Sequence, residues 1–413
     1  MRGSSLPAAA AAASCPPTPV PGADGRLRAA PWKRVPAADV GVAGQGGPLT
    51  KHPFEDDWER RGVRAALTGP PSKDPITVEF ADKEAKYTVA IHHAPQYHIL
   101  RHWFCGDDLN FARSIYRCRR INPQGGKSRA AFFVSHDRRF LLKAVNRFEF
   151  NMLTTQHEAL MWYVDKVLFD KLPSVLAQVV GLFTVTVSSK KSKGPVKHRI
   201  IVQRNLRFNL LNTRYCVFDL KGIGKSRRVP SVAGVPGQGL ASLANTKDDS
   251  DEEDGEGHTP PGGTAAGAPR ADEAQGNKRM VLWDQNFREW TEGKPLCLVA
   301  RDLKYLEAAV WNDTLMLSRQ ELMDYSLLLV AVLPEDYDPN DCTSPQAGSL
   351  GTLSLGIIDY LRPYTWDKKA EKNFKQLVRD ASNEPTVIEP SKYADRFRSA
   401  MGTFFVAETP TLA

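Results

Sequence analysis

The chain lacks the features that mark secreted or membrane-spanning proteins. Its six cysteines are scattered and none forms a CxxC pair, so neither a disulfide framework nor a cysteine-rich zinc site is indicated. It has no apolar run of 18 or more residues, which a membrane-spanning helix would need. The alanine run near the start is only weakly apolar and prolines follow it, which favours a loose tail over a secretory signal. The sequence is typical of a cytoplasmic protein.

Composition predicts one large folded domain with two loose additions. The chain has 413 residues, of which 42% are hydrophobic, and this is ample for a core of two lobes. Residues 1–50 are rich in Ala, Pro and Gly and show no period, so we expect a disordered tail. Residues 229–279 are expected to form a disordered acidic insertion, because helix and strand patterns resume on both sides. The predicted domain is therefore 51–413, interrupted by this insertion.

Charge is distributed unevenly along the chain. The whole chain has a net charge of +8, of which the insertion contributes −5 and the first fifty residues +3. The remaining 312 residues therefore have a net charge of +10. A basic folded part favours an anionic partner: a nucleotide, an acidic membrane surface or nucleic acid. The seven acids between Asp248 and Glu256 form either an inert solubilising loop, the favoured interpretation, or a segment that covers the basic surface.

Hydrophobic periodicity predicts an α+β protein in which a sheet comes first and mixed segments follow. The strands are expected near 77–81, 86–92, 129–134, 139–145, 178–187, 198–204, 214–219, 325–333 and 354–358. The helices are expected near 94–104, 107–119, 147–167, 283–291, 298–318, 366–380 and 389–405.

The segment QGGKSRAAFFVSHDRRFLLKAV reads as strand, turn and strand with a glycine-rich entry. Gly125 and Gly126 would let the backbone approach phosphates, while Lys127 and Ser128 offer hydrogen-bond donors. Lys143 lies inside the apolar strand RFLLKAV, so its ammonium must either reach solvent or bind an anion. A surface turn and a lysine that reaches solvent are the alternatives for these features taken alone.

Three further residues complete a set suited to phosphoryl transfer. Lys221 follows a strand end in DLKG, Asp324 opens the apolar strand of LMDYSLLL, and Asp359 closes the strand of LGIIDY. Two lysines and two isolated carboxylates can hold a nucleoside triphosphate, its metal and an acceptor hydroxyl. Taken singly, these residues could equally be an ordinary basic loop and two strand-capping aspartates.

The segment TWDKKAEKNFKQLVRD predicts a basic amphipathic helix. Four of its lysines lie within reach of one helical face and would dock on anionic lipid: Lys368, Lys369, Lys372 and Lys375. A merely solvated helix is the alternative.

FDLKGIGKSRR, LMDYSLLL and LGIIDYLRPYTWDKK, in this order, resemble the phosphatidylinositol phosphate kinases. The likeness is strongest to the catalytic domain of the phosphatidylinositol 3-phosphate 5-kinases (PIKfyve type) and covers residues 76–406 without the insertion. It implies a two-lobed fold with an antiparallel-sheet N-lobe and a mixed C-lobe. Two positions depart from the family pattern: Arg129 stands where glycine is common, and Ile223 replaces the serine of DLKGS. The HRD, DFG and APE signatures of protein kinases are absent.

The resemblance also assigns roles at the nucleotide side of the site. It implies that Lys143 and Lys221 contact the phosphates of ATP and that Asp359 ligates Mg²⁺. Asp324 is implied as the catalytic aspartate, which orients the acceptor hydroxyl and assists the metal. A carboxylate is expected to hold Lys143, and Glu149 fits the family spacing better than the alternative, Glu158.

On the lipid side, the resemblance implies that Arg227 meets the head group, beside the lysines of the basic helix. The implied activity is transfer of the ATP γ-phosphate to the inositol 5-hydroxyl of phosphatidylinositol 3-phosphate, on the cytosolic face of endosomal membranes. Two alternatives stay open: a phosphatidylinositol 4-phosphate 5-kinase, and a catalytically weak phosphoinositide-binding scaffold. No nucleic-acid-binding motif accompanies the basic charge, and the sequence does not indicate an oligomeric state.

Overall fold

The computed structural model describes residues 57–70, 74–121, 130–192, 194–210, 215–223, 227–228, 281–333, 353–364 and 388–408, together with two short strands near the start. These strands, β1 (Val20–Pro21) and β2 (Leu27–Arg28), pair antiparallel within a compact unit of residues 1–39. The rest of the predicted tail and the predicted insertion 229–279 lie outside the described residues. All other elements belong to a second unit, residues 40–413.

The first half of the second unit is built on a seven-stranded antiparallel sheet, the N-lobe sheet. Its strands follow the spatial order β3-β4-β8-β9-β7-β6-β5. They are β3 (Ile76–Ala81), β4 (Ala85–Ile91), β5 (Cys118–Ile121), β6 (Phe132–Ser135), β7 (Phe140–Ala144), β8 (Val179–Ser189) and β9 (Val196–Arg204). Six of the seven were predicted from apolar alternation, and β5 was not.

Five helices accompany this sheet: α1 (Asp57–Thr68), α2 (Ala94–Cys105), α3 (Asp108–Ile115), α4 (Arg147–Thr155) and α5 (His157–Phe169). The predicted helix 107–119 was too long, because the chain after α3 pairs with β6 as β5. The prediction of one continuous helix over 147–167 was wrong, because two helices, α4 and α5, occupy this range. The break lies at Gln156, whose φ of −104° and ψ of 15° leave the helical region.

The second half contains a four-stranded mixed sheet, the C-lobe sheet, in the order β11-β10-β14-β15. Only β10 and β11 run parallel. The strands are β10 (Tyr215–Leu220), β11 (Val281–Trp283), β14 (Ser326–Val332) and β15 (Leu353–Ile358). Two small pairs flank it: β12 (Leu296–Leu298) with β17 (Phe405–Ala407), and β13 (Leu322–Met323) with β16 (Arg362–Pro363).

Three helices pack around this second sheet: α6 (Asp284–Trp290), α7 (Ala300–Arg319) and α8 (Pro390–Phe404). Each matches a predicted helix, whereas the predicted helix 366–380 lies outside the described residues. The arrangement confirms the predicted α+β fold with an antiparallel-sheet N-lobe and a mixed C-lobe. Within the described residues, none of the helices is long and apolar enough to cross a bilayer.

Side-chain alternation separates the two faces of the N-lobe sheet. One face carries Phe140 and Val202, which pack in a core cluster with Phe111 of α3. The opposite face carries Lys143, which pairs in register with Phe132 on β6 and lies on the other side of the strand from Phe140. One face of the sheet therefore packs in the hydrophobic core, and Lys143 lies on the other face.

Candidate active site

Lys143 is a buried lysine held by two acids. It is 5% exposed, and its Nζ lies 2.7 Å from Asp359 Oδ1 and 3.7 Å from Glu149 Oε1. Burial acts to lower the pKa of Lys143, but the charges of Asp359 and Glu149 outweigh it and raise the pKa above its ordinary value. Lys143 is therefore a fixed cation that joins the N-lobe sheet to the C-lobe sheet.

Glu149 is positioned by the start of α4. Asn146 caps this helix by accepting hydrogen bonds from the backbone N–H groups of Phe148 and Glu149. The Oε2 atom of Glu149 in turn accepts the Asn146 N–H at 3.0 Å, which completes a capping box. With one oxygen fixed by the cap, the other faces Lys143. Of the two acids that the sequence offered as a partner for Lys143, the structure brings Glu149 to it.

Lys221 and Asp324 form a second pair. The Lys221 Nζ lies 2.5 Å from Asp324 Oδ1 and also donates to the Asp324 carbonyl oxygen at 2.8 Å. Arg362 Nη1 donates to the other carboxylate oxygen of Asp324. Asp324 thus meets two cations, one from the turn after β10 and one from β16.

The two aspartates lie at the same end of neighbouring strands. Asp324 precedes β14 and Asp359 follows β15, and these antiparallel strands pair Ser326 with Ile358. Both aspartates have positive φ, 61° for Asp324 and 58° for Asp359, a left-handed conformation that is unfavourable for residues with a Cβ. Such strained positions cluster at functional sites, where neighbouring contacts hold them in place.

Electrostatics join the two pairs into one charged cluster. Partial burial acts to raise the pKa of Asp359, but the Lys143 ammonium, with a smaller contribution from Lys221, lowers it below its usual range. Asp359 is nevertheless 48% exposed at its side chain, so it stands at the mouth of the cluster. The structure thus brings together Lys143, Lys221, Asp324 and Asp359, the four residues that the sequence singled out for phosphate, metal and hydroxyl.

The donor set fits a hard divalent cation. Carboxylate oxygens are the ligands that Mg²⁺ prefers, and it commonly takes only one or two of them, with substrate phosphates and water completing the shell. Asp324 and Asp359 supply two such groups at one sheet edge. No group of three or more His, Cys, Asp or Glu side chains suited to a metal occurs in the described part of the chain.

Asp284 supports the Lys221 turn and was not identified from the sequence. Its Oδ1 accepts the backbone N–H groups of Lys221 at 3.0 Å and Gly222 at 2.8 Å. Gly222 has a φ of 68°, and a Cβ there would lie 2.6 Å from the Ala400 Cβ on α8. Burial raises the pKa of Asp284, although Arg227 opposes this rise. The only sequence signal for this role is an acid at the first position of the helix in VLWDQNF.

Arg227, predicted to contact the head group, is paired with two aspartates in this structure. Both of its Nη atoms are engaged: Nη1 donates to Asp284 Oδ2 at 2.6 Å and to the Asp219 carbonyl oxygen, and Nη2 donates to Asp219 Oδ2 at 2.8 Å. The guanidinium also lies over the Trp283 ring, and the side chain is largely buried. The guanidinium therefore links β10 to α6, and the predicted head-group contact stays a prediction.

Arg362 is a second residue that the sequence analysis missed. Its contact with Asp324 places a cation beside the predicted catalytic carboxylate. It lies only three residues after Asp359 in LGIIDYLRP, and this closeness in sequence is the signal that could have identified it. The remaining predicted site residues lie outside the described residues: Gly125, Gly126, Lys127, Ser128, Lys368, Lys369, Lys372 and Lys375. Their roles stay predictions.

Comparison with known proteins links this geometry to one family. The family profile described as phosphatidylinositol-4-phosphate 5-kinase matches residues 116–351 and 334–404. The chain is 31% identical over 326 residues to an Arabidopsis thaliana protein named 1-phosphatidylinositol-3-phosphate 5-kinase FAB1B, covering 78% of this chain and 15% of that protein.

Two further relatives give the same picture. The Saccharomyces cerevisiae protein named 1-phosphatidylinositol 3-phosphate 5-kinase FAB1 is 31% identical over 307 residues, 73% of this chain and 11% of the relative. The Homo sapiens protein named 1-phosphatidylinositol 3-phosphate 5-kinase is 26% identical over 334 residues, 80% of this chain and 13% of the relative. The chain therefore spans less than a fifth of the length of these relatives.

Proposed function

Because the chain belongs to the phosphatidylinositol-4-phosphate 5-kinase family, we propose that it is an ATP-dependent lipid kinase. We propose transfer of the γ-phosphate to the inositol 5-hydroxyl of phosphatidylinositol 3-phosphate, which gives phosphatidylinositol 3,5-bisphosphate. The names of its relatives support this substrate. The proposed catalytic domain is 51–413, interrupted by the acidic insertion 229–279.

One observation carries the proposal: two lysine–aspartate pairs, formed by residues far apart in sequence, meet at one edge of the C-lobe sheet. Lys143 pairs with Asp359, and Lys221 pairs with Asp324. Phosphoryl transfer depends mainly on positioning and on neutralising the negative charge of the phosphates. Fixed ammonium groups beside hard carboxylates supply both requirements.

The roles divide by position. Lys143, buried on the N-lobe sheet, and Lys221, on the turn after β10, bind phosphate oxygens of the nucleotide. Asp359, exposed at the mouth of the cluster, is the principal Mg²⁺ ligand, and a bound Mg²⁺ would neutralise charge on the transferred phosphoryl group. Asp324 orients the acceptor hydroxyl and accepts its proton, with Arg362 and Lys221 fixing the carboxylate.

The substrate enters from an anionic membrane surface in this proposal. The basic segment with Lys368, Lys369, Lys372 and Lys375 would contact acidic lipid, and the segment with Gly125, Gly126, Lys127 and Ser128 would cover the ATP phosphates. We propose peripheral association with the cytosolic face of endosomal membranes. Arg227 is left out of the lipid site, because its guanidinium is paired with Asp219 and Asp284.

A phosphatidylinositol 4-phosphate 5-kinase is the second candidate, and the description of the matching family profile favours it. Both candidates use the same cluster and differ only in the position of the phosphate already on the ring. A phosphoinositide-binding scaffold would keep the lipid site without turnover.

The deciding experiment offers the purified protein each phosphoinositide in vesicles with radiolabelled ATP. Lys143→Ala and Asp359→Asn test the cluster, and Lys294→Ala serves as the matched surface-lysine control, since Lys294 is 74% exposed at its side chain. We expect labelled bisphosphate from the 3-phosphate lipid, a loss of at least about 100-fold in the two cluster variants, and no loss in the control. Turnover of the 4-phosphate lipid alone would replace the substrate, and binding without turnover would establish the scaffold.

A further inference from the structure

A fully buried carboxylate away from the charged cluster is the most unusual acid in the C-lobe. Asp313 on α7 is 0% exposed. Its Oδ1 accepts hydrogen bonds from the Tyr163 hydroxyl at 2.5 Å and the Ser174 hydroxyl at 2.6 Å, and its Oδ2 accepts the Val175 N–H at 2.8 Å. Among the described residues it forms no ion pair, so three neutral donors hold a buried acid.

Two of these donors belong to residues 173–178, the segment between α5 and β8, which we call the connecting segment. Its Val175 carbonyl accepts the Ile357 N–H at 2.7 Å, and its Ala177 N–H donates to the Ile357 carbonyl at 2.9 Å. Leu176 and Ile357 form a parallel bridge. The Tyr360 hydroxyl donates to the Ala177 carbonyl at 2.7 Å. One side of the connecting segment is thus bound to Asp313, and the other side is bound to β15 and the residue after Asp359.

We propose that Asp313 is a positioning residue for phosphoryl transfer: by fixing the connecting segment, it fixes the end of β15 and the left-handed backbone that presents Asp359. The effect on phosphoryl transfer rests on the proposed function. The fixing of the β15 end rests on the hydrogen bonds alone. Asp359 lies two residues beyond Ile357 and has a φ of 58°, so a loosened β15 end would release it.

A carboxylate suits this position better than an amide. Two hydroxyls donate to one oxygen of Asp313 and the Val175 N–H donates to the other. An ionised carboxylate can accept hydrogen bonds on both oxygens. An asparagine that keeps its oxygen toward the Val175 N–H would turn its NH₂ group toward the two hydroxyls, which would then have to accept hydrogen bonds instead of donating them. The reverse orientation would leave its NH₂ group facing the Val175 N–H, donor against donor. The Asp313→Asn substitution is therefore nearly isosteric but removes the acceptor for the Ser174 hydroxyl or for the Val175 N–H, which weakens the link to the connecting segment.

The protonation state of Asp313 affects the same link. Burial raises its pKa to about 7, opposed by the hydrogen bonds from Ser174 and Tyr163 and from the backbone. The titratable groups whose own pKa it affects are tyrosines, namely Tyr163, Tyr305, Tyr325 and Tyr360. From α8, Arg398 reaches the neighbouring Thr314 instead. Because the folded site raises the pKa of Asp313, its contacts with the connecting segment are favoured when Asp313 is protonated and weaken as the pH rises through about 7.

Hydrogen–deuterium exchange with the full chain tests the structural link without any substrate. We expect Asp313→Asn to speed exchange in peptides covering 173–178 and 353–358 at least tenfold while leaving β3 and β4 unchanged. Asp165→Asn is the matched control, because Asp165 is also buried but pairs with Arg64 on α1. Exchange at 353–358 that is unchanged in Asp313→Asn would overturn the proposal.

Kinetics of the same variants test the catalytic consequence. In Asp313→Asn we expect kcat to fall at least tenfold at pH 7.5 and the Mg²⁺ requirement to rise. The wild-type activity should change as Asp313 titrates near pH 7, and Asp313→Asn should lose this change, whereas Asp165→Asn should keep the wild-type profile. If Asp313→Asn does not fold, Ser174→Ala is the second variant. It removes one donor to Asp313 and should speed exchange in the same peptides by a smaller factor. Unchanged exchange in Ser174→Ala would then count against the proposal. A wild-type protein with no lipid turnover would end the proposed function while leaving the exchange result readable.

Discussion

At the scale of single residues, Glu149 has two separable tasks. One carboxylate oxygen closes the capping box of α4, and the other faces the buried ammonium of Lys143. Glu149→Gln keeps an oxygen for the cap but loses the charge. We therefore expect kcat/KM to fall about tenfold, equivalent to about 1.4 kcal/mol, because Lys143 loses part of what fixes it. The free energy of unfolding, measured with urea, should change by less than about 1 kcal/mol.

The matched control is Glu158→Gln. Glu158 lies on the exposed side of α5 and is the acid that sequence spacing alone left as an alternative partner for Lys143. It should retain full activity. Equal loss in both variants would mean that Glu149 does not act through Lys143. Glu149→Ala should lose the cap as well, at an additional cost of about 1 kcal/mol in stability.

At the scale of secondary-structure elements, the turn after β10 depends on the close approach of α8. Gly222 has a φ of 68°, and a Cβ there would lie 2.6 Å from the Ala400 Cβ. Gly222→Ala should therefore cost about 2–4 kcal/mol of unfolding free energy, from the left-handed backbone and from the overlap together. Because the same turn carries Lys221, lipid kinase activity should fall as well. Urea unfolding and kcat measure the two effects.

Two further variants separate the causes. Ala400→Gly in the Gly222→Ala background removes the overlap but not the backbone strain, so it should restore only part of the stability. Gly402→Ala is the matched glycine control on α8, since nothing lies within 4 Å of a Cβ there. It should be neutral or stabilise by up to about 1 kcal/mol. Full stability in Gly222→Ala would contradict the close packing of α8.

Sequence patterns located most elements but not their breaks. Apolar alternation predicted β7 and β14, because side chains that face a core every second residue leave that pattern. The break at Gln156 was missed, since the apolar period of α4 continues into α5 with neither Gly nor Pro to mark it. Strand β5 was missed because its residues, of which Arg119 and Arg120 are exposed, form an edge strand with little apolar content.

At the scale of the whole molecule, sequence could name the reactive groups but not their partners. Lys143, Asp324 and Asp359 stood out because a charged group inside or beside an apolar strand is costly to bury unless it has a partner. The partners of Arg227 could not be identified in the same way: its acids, Asp219 and Asp284, are separated by 65 positions that include the insertion, so their pairing exists only in the folded chain. Tertiary contacts of this kind decide which basic residues are free to bind a ligand.

The Lys143–Asp359 pair also makes a prediction about the molecule as a unit, because it joins the N-lobe sheet to the C-lobe sheet. A ligand that binds this cluster only in the folded state stabilises both lobes together. Mg²⁺ with ATP at about 100 times its Kd should add about 2.7 kcal/mol, which raises the Tm of a single thermal transition by about 5–10 °C. Lys143→Met should abolish this shift, whereas Lys294→Met should keep it. ATP with EDTA should give a smaller shift, because the phosphates then lack the metal that Asp359 is proposed to bind. Two separate transitions, of which nucleotide moves only one, would show that the lobes bind and unfold independently.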